Sequence, residues 1–256
     1  MPSIIQNLRD TGTMTGRIIK HSLRSADTIT TVIVMPVFIM AMFVYIFGKS
    51  INTGGIDYVN YVVPGIVLMC IANGAAYAAL RLNNDVTKGI INRFRTMPIA
   101  RSAVLSGHVI SSTLFNIVSA VIVFGVAALM GFRSDASIGS WLLAGGLLFL
   151  TALSMSWLSM IFGLIAKGAE GASAFSYVLL LFIFLSSAFA PIDGMHEFIR
   201  VIAEHQPITP ILDTLRSLLT KNTLGDQAFA AVLWCTGMLV VSFITATSIY
   251  KHKTIK

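Results

Sequence analysis

Apolar residues fall in six long runs, at 29–47, 59–80, 104–130, 141–166, 173–190 and 229–250, with short polar breaks between them. Each run is close to the roughly twenty residues that an α-helix needs to cross the hydrocarbon core of a bilayer. None shows the ten-residue alternation of a barrel strand. Lipid offers no partner to a bare backbone N–H or C=O, so the runs predict helices, whose backbone bonds are internal. The expected fold is an all-α integral membrane protein with six transmembrane helices, a single transmembrane domain over residues 1–256.

The breaks between runs carry their own patterns. In the arm, residues 1–28, Ile4, Ile5 and Leu8 and then Ile18, Ile19 and Leu23 recur at helical spacing among Arg9, Arg17, Lys20 and Arg24. That is the pattern of an interfacial helix, with its apolar side in lipid and its basic side toward anionic headgroups. Asn73-Gly74-Ala75-Ala76 in the second run is small enough to let another helix approach closely. Pro36 is a candidate kink in the first run. The segment 192–226 is too interrupted to span. Thr209-Pro210 reads as an N-cap and first helical residue there. An apolar stripe of Ile211, Leu212, Leu215, Leu218 and Leu219 follows, with Asp213 and Arg216 on a more polar side. One or two short helices, lying on or dipping into the membrane face, are expected.

The stretch 83–107 is the most distinctive break. With Asp85 as N-cap, Val86, Ile90, Phe94 and Met97 share one helix face and Lys88, Asn92 and Arg95 the other. Pro98 closes the helix, because it has no N–H to continue it. A basic amphipathic helix tethered at both ends suits either lipid headgroups or a groove on a soluble partner.

Composition sharpens the class. The chain is 55% hydrophobic and 11% charged, with a mean hydropathy of +0.81. Soluble domains carry about 25% charged residues. The net charge of +7 is a topology signal. The arm, residues 81–101, the turn at Lys167 and the tail (Lys251, Lys253, Lys256) hold most Lys and Arg. The other face holds only Lys49, Arg133, Arg200, Arg216 and Lys221. The positive-inside rule then puts both termini and the basic stretch in the cytoplasm, and nothing suggests nucleic-acid binding. The first run has no small-residue cleavage site behind it and is expected to stay in the mature protein.

Familiar chemistry is missing from the sequence. No GxxxxGK[ST], HExxH, CxxC or GxSxG occurs,. Cys70 and Cys235 lie inside apolar runs, where a thiol acts as a small hydrophobe. His108, at the edge of the third run, reads as an interface residue. No acid sits at the apolar centre of a run, which counts against a proton relay. Phe38, Phe43, Tyr45, Tyr77, Phe182, Phe184 and Phe189 are candidates for lining a route, or for ordinary packing. An ATP-independent carrier and a membrane-embedded enzyme remain the readings from other classes.

The basic stretch carries a resemblance. Gly89-Ile90-Ile91-Asn92-Arg93-Phe94-Arg95-Thr96-Met97-Pro98-Ile99-Ala100-Arg101, then Gly107, resembles the cytoplasmic loop of ABC transporter type-2 permeases of the daunorubicin-resistance group. Ser186-Ser187-Ala188-Phe189-Ala190-Pro191, then Gln206-Pro207 and Asp213…Arg216, resembles the family's segment before the last span, with Gln206 in place of the commoner Asn. The resemblance implies two permease subunits, here a homodimer, with two copies of a separate ABC-type ATPase. It makes residues 82–103 a coupling loop, with Lys88, Ile90, Arg93, Phe94, Arg95, Met97 and Arg101 at the ATPase. Pro191, Gln206, Pro207, Asp213 and Arg216 mark a re-entrant outer segment. No cofactor is expected in this chain, ATP being bound by the partner. The implied role is export of a drug-like or lipid-like molecule across a bacterial or archaeal plasma membrane, with a polysaccharide or lipid-linked glycan as the alternative cargo.

Overall fold

The computed structural model describes residues 4–48, 50, 51, 53, 55–89 and 101–255, and only the backbone at 4–10, 21–23, 101–103 and 253–255. Among the described residues every regular element is a helix. The arm is α1 (Ile4–Arg24). The predicted spans are α2 (Ala26–Phe47), α3 (Tyr58–Thr87), α4 (Arg101–Leu129), α5 (Ile138–Ile165), α6 (Ala169–Phe184) and α9 (Ala228–Ile255). Between the last two lie α7 (Glu197–His205) and α8 (Ile208–Arg216). The chain is therefore an all-helical integral membrane protein.

The centre is α3. It is buried over 94% of its most apolar window, against 17% for α2 and α9. A helix that apolar and that enclosed must be surrounded by other helices, and α4, α5 and α6 pack around it,. The peripheral α2 and α9 keep Phe38, Tyr45, Leu233 and Val241 exposed, as lipid-facing side chains. Glycine sets the closest approaches, as the small residues led one to expect. Gly74 lies against Asn116 of α4, Gly65 against Ala188, and Gly163 of α5 against Ala79.

Pro36 lies in a span whose helical winding is irregular on both sides of it, and the backbone bond that it removes is compensated. Two π-helical turns, Thr30–Val34 and Phe43–Phe47, interrupt α2. Proline has no N–H to offer the carbonyl four residues back, which is that of Val32. Cys70 donates its thiol to this oxygen at 2.5 Å. Asn73 donates to the neighbouring Thr31 carbonyl at 3.4 Å. Cys70 is thus more than a small hydrophobe: it closes a backbone bond that the proline opened.

Three boundaries differ from the sequence reading. First, α3 runs through Asn83, Asn84 and Asp85 to Thr87, so Asp85 is helical and not the cap of a new helix. It ends where Gly89 turns left-handed at φ +69°, with Lys88 N–H donating to Asn84 O at 3.0 Å,. Second, α6 has 16 residues, about 24 Å of helix at 1.5 Å per residue. The non-helical segment after it stays buried, and side chains satisfy its carbonyls. Gln206 Nε2 donates to Leu185 O at 2.6 Å, Tyr61 to Ser187 O at 3.0 Å and Tyr58 to Phe189 O at 3.0 Å. Irregular backbone survives at membrane depth only when protein groups supply its bonds. Third, α8 starts at Ile208 with Pro207 as its cap residue, so Thr209 and Pro210 lie inside its first turn.

The arm is helical as expected, but its apolar side is not simply given to lipid. Met14 and Thr15 are buried, and Met14 sits on Gly107 of α4, where an added Cβ would lie 2.9 Å away.

Candidate functional site

Two constellations flank the bundle, one at the arm end and one at the opposite end. At the arm end α3 stops and α4 begins, so both roots of the basic stretch are there. Lys88 is exposed at the end of α3. Arg101 opens α4, and its side chain lies outside the described residues, as do Ile90, Arg93, Phe94, Arg95 and Met97 altogether. The described roots are held by polar bonds to three other helices. Asp85 accepts from His108 Nε2 of α4 at 3.2 Å and pairs with Arg17 of α1 at 3.9 Å. Asn83, fully buried, donates to Gly163 O at 3.1 Å and Ala166 O at 2.7 Å at the end of α5. A displacement of the stretch is therefore applied to α1, α3, α4 and α5 together.

At the opposite end the structure brings the predicted outer-segment residues into one cluster. Arg216 is only 8% exposed. Its guanidinium donates to Asp213 Oδ1 at 2.8 Å, to Ser187 O at 2.8 Å and to Tyr61 O at 3.3 Å. Its Cζ also lies 3.7 Å from the centre of the Tyr61 ring. Ser187 Oγ completes the circuit by donating to Asp213 at 2.8 Å. A planar cation with a fixed fork of donors suits such a multiple contact, which a lysine could not reproduce. Gln206 is buried and ties α7–α8 back to α6. Pro191 is the cap residue of a 3₁₀ turn at Ile192–Gly194, and Pro207 is that of α8. Asn222, in left-handed conformation, accepts from Ser140 at 2.6 Å and from the Ser137 N–H at 2.9 Å. By contrast Arg200 is half exposed, and Glu204 four residues on holds its guanidinium above its ordinary pKa by a 2.8 Å bond. That pair is at the surface and does little for stability.

Of the seven aromatic candidates, Phe43, Phe184 and Phe189 meet. Phe189 stacks on Phe43 at 4.6 Å and on Phe184 at 4.9 Å. The rest do not join them. Phe38 and Tyr45 face outward, and Tyr77 lies 3.5 Å from Thr31.

Sequence reasoning passed over Tyr58, Tyr61, Ser187, Asn83 and His108 as partners in these clusters. The available signal was a pair of tyrosines three apart at the mouth of an apolar run. A tyrosine there brings an apolar body and a hydroxyl that must find an acceptor.

The chain belongs to the ABC-2 type transporter family, which it matches over residues 9–220. It is similar to the daunorubicin resistance ABC transporter permease protein DrrB1 of Streptomyces coeruleorubidus, with 27% identity over 87% of this chain and 79% of that protein. The probable doxorubicin resistance ABC transporter permease protein DrrC of Mycobacterium tuberculosis is 19% identical over 93% of this chain and 87% of its own. The inner membrane transport permease YadH of Escherichia coli is 22% identical over 72% and 73%. Family membership makes this a membrane-embedded transporter permease and implies an ABC-type ATPase as its partner. Both motifs behind the resemblance lie within the matched residues.

Proposed function

We propose that this chain is the membrane subunit of an ATP-driven exporter. Two copies stand with two ATPase subunits and move a drug-like or lipid-like amphipathic molecule out of a bacterial cell. Two of the relatives are named for resistance to a drug, which supports that cargo class. The excess of Lys and Arg at the arm end sets that end, with both termini, in the cytoplasm. ATP is held by the partner, and this chain needs no cofactor of its own.

The observation that carries the reading is the pinning of Asn83 and Asp85 to α1, α4 and α5. A helix that docks on an ATPase must pass a displacement inward without dissipating it in a loose hinge. Polar bonds to several neighbours make its roots a lever. Closure of the ATPase pair would tilt the subunit as a body and open a route between the two permeases. Ile90, Phe94 and Met97 are assigned to a groove on the ATPase, and Lys88, Arg93, Arg95 and Arg101 to its acidic rim.

Reversing Arg93 and Arg95 together, to Arg93→Glu/Arg95→Glu, tests this. Placing like charges at an interface costs several kcal/mol. ATPase association, measured by co-purification from membranes, should fall by more than about a hundredfold. Transport should stop, while insertion into the membrane is unchanged. Full association and transport in the double variant would remove these residues from the docking site.

A further inference from the structure

The face that α3 turns toward α2 is polar. Cys70, Asn73, Tyr77 and Arg81 are spaced three, four and four residues apart, which places them in one stripe,. All four meet the part of α2 nearest the arm. Arg81 donates to Thr28 Oγ1 at 3.4 Å, and the Tyr77 and Thr31 hydroxyls lie 3.5 Å apart. Asn73 and Cys70 donate to the carbonyls of Thr31 and Val32. Beyond the π-turn at Thr30–Val34 the character changes. Met35–Phe47 has one polar side chain, Tyr45, which is 76% exposed. This far part meets the bundle through Pro36, Met40 and Phe43. Apolar side chains gain little by leaving lipid for protein, whereas hydrogen bonds between helices act as glue in a bilayer. The near part of α2 is therefore fastened to α3, and the far part only rests against its neighbours.

We propose that the π-turn is a two-state hinge and that Asn73 holds it open. In an α-helix the Met35 N–H would donate to Thr31 O, four residues back. Here it donates to Thr30 O instead. The π-register donor to Thr31 O would be residue 36, a proline with no N–H. Thr31 O is thus left without a backbone donor, and Asn73 Nδ2 supplies one. A carbonyl inside a span has no water to turn to, so the wide turn stands only while Asn73 reaches it. At 3.4 Å that bond is long for an N–H···O contact, and it is easily given up,. Its release lets Met35 return to Thr31 O, and the wide turn closes to an α-turn. Val32 O stands outside this choice, because an α-turn would need Pro36 to serve it and Cys70 serves it in both states,. Prolines and π-turns are also the usual places for helix kinks of more than about 20°. Met35–Phe47 is about 20 Å of helix, so a change of about 20° moves its tip by about 7 Å. Such a swing remakes the stack of Phe43 on Phe189.

The hinge stands apart from the exporter reading, so its test reads distance and not transport. Spin labels are attached to introduced cysteines in the full chain in lipid nanodiscs, with labelled copies diluted by unlabelled ones, and distances are read by double electron–electron resonance. Cys70 and Cys235 are fully buried and stay unlabelled. For the far part of α2, Ile46→Cys is paired in turn with Leu142→Cys on α5 and Phe229→Cys on α9. For the near part, Asp27→Cys is paired with Ile165→Cys at the other end of α5. All of these positions are exposed. Asn73→Leu should shift the far distances by up to about 7 Å. The near distance should not move, which also shows that the variant is folded. Cys70→Ala should move neither, since Val32 O is outside the choice. Unmoved far distances in Asn73→Leu overturn the hinge. So does a matching shift of the near distance, or an equal far shift in Cys70→Ala, because either means that α2 simply loosens from α3.

Discussion

Replacing Gly163 by leucine should unfold the protein at a clearly lower fraction of sodium dodecyl sulfate in mixed micelles, with a loss of about 3 kcal/mol. At this position α5 crosses α3 with backbone against backbone. A Cβ on Gly163 would stand 2.7 Å from Ala79 O and 3.2 Å from both Ala79 Cα and Leu82 Cβ. None of these is the far end of a flexible side chain, so the collision can be relieved only by separating the helices. Separation in turn stretches the bonds from Asn83 to Gly163 O and Ala166 O, each worth about 1 kcal/mol when intact. The internal control lies on the same helix. Gly146 meets nothing within 4 Å, so Gly146→Ala should be neutral or stabilise by up to about 1 kcal/mol through helix propensity. An unchanged midpoint for Gly163→Leu would mean that this crossing is not a tight contact. Coupling should weaken in the same variant, because the parted helices are the ones that hold the root of the basic stretch.

The crossing also shows how far a sequence can be read. Apolar runs report burial in lipid or protein, so the existence and order of the spans were visible from hydropathy alone. What hydropathy could not report is which polar residues have found partners. Asn83-Asn84-Asp85 looks like the polar end of a span, yet α3 continues through it because Gly163, Ala166, His108 and Arg17 meet its side chains. Pro191 looks like the end of the fifth run, yet the helix stops at Phe184. The turn that replaces it is supported by Tyr58, Tyr61 and Gln206, residues distant in sequence. The arm's periodicity was legible, but the burial of Met14 and Thr15 depends on Gly107, which presents no side chain of its own. In each case the missing information is a tertiary partner. The candidate site was legible as motifs, while its electrostatic wiring was not.

Arg216 is where that wiring carries most weight. The spacing of Asp213 and Arg216 put both on the more polar side of a short helix. The guanidinium is instead buried on the Tyr61 ring, and its donors join α8, the turn after α6 and the first turns of α3. Arg216→Met should therefore cost about 3 kcal/mol. Breaking a buried pair costs about 3–5 kcal/mol, chiefly through the charge left behind. The lower figure applies because Asp213 is 34% exposed and can regain water. Ser187 O keeps one donor in the variant, the Tyr61 hydroxyl, so the carbonyl is not orphaned. Removing both charges, in Asp213→Leu/Arg216→Met, should cost less than Arg216→Met alone, since no unpaired carboxylate is left. Arg216→Lys should recover only part of the loss, because an ammonium cannot form the same fork or lie flat on the ring. Unfolding midpoints of the three variants decide the matter. If the double variant is no more stable than Arg216→Met, the charge pair is incidental and the packing of the arginine stem holds this end closed. If it recovers most of the difference, the short helices are fastened to α3 by electrostatics, through the contact of Arg216 with Asp213, Ser187 and Tyr61.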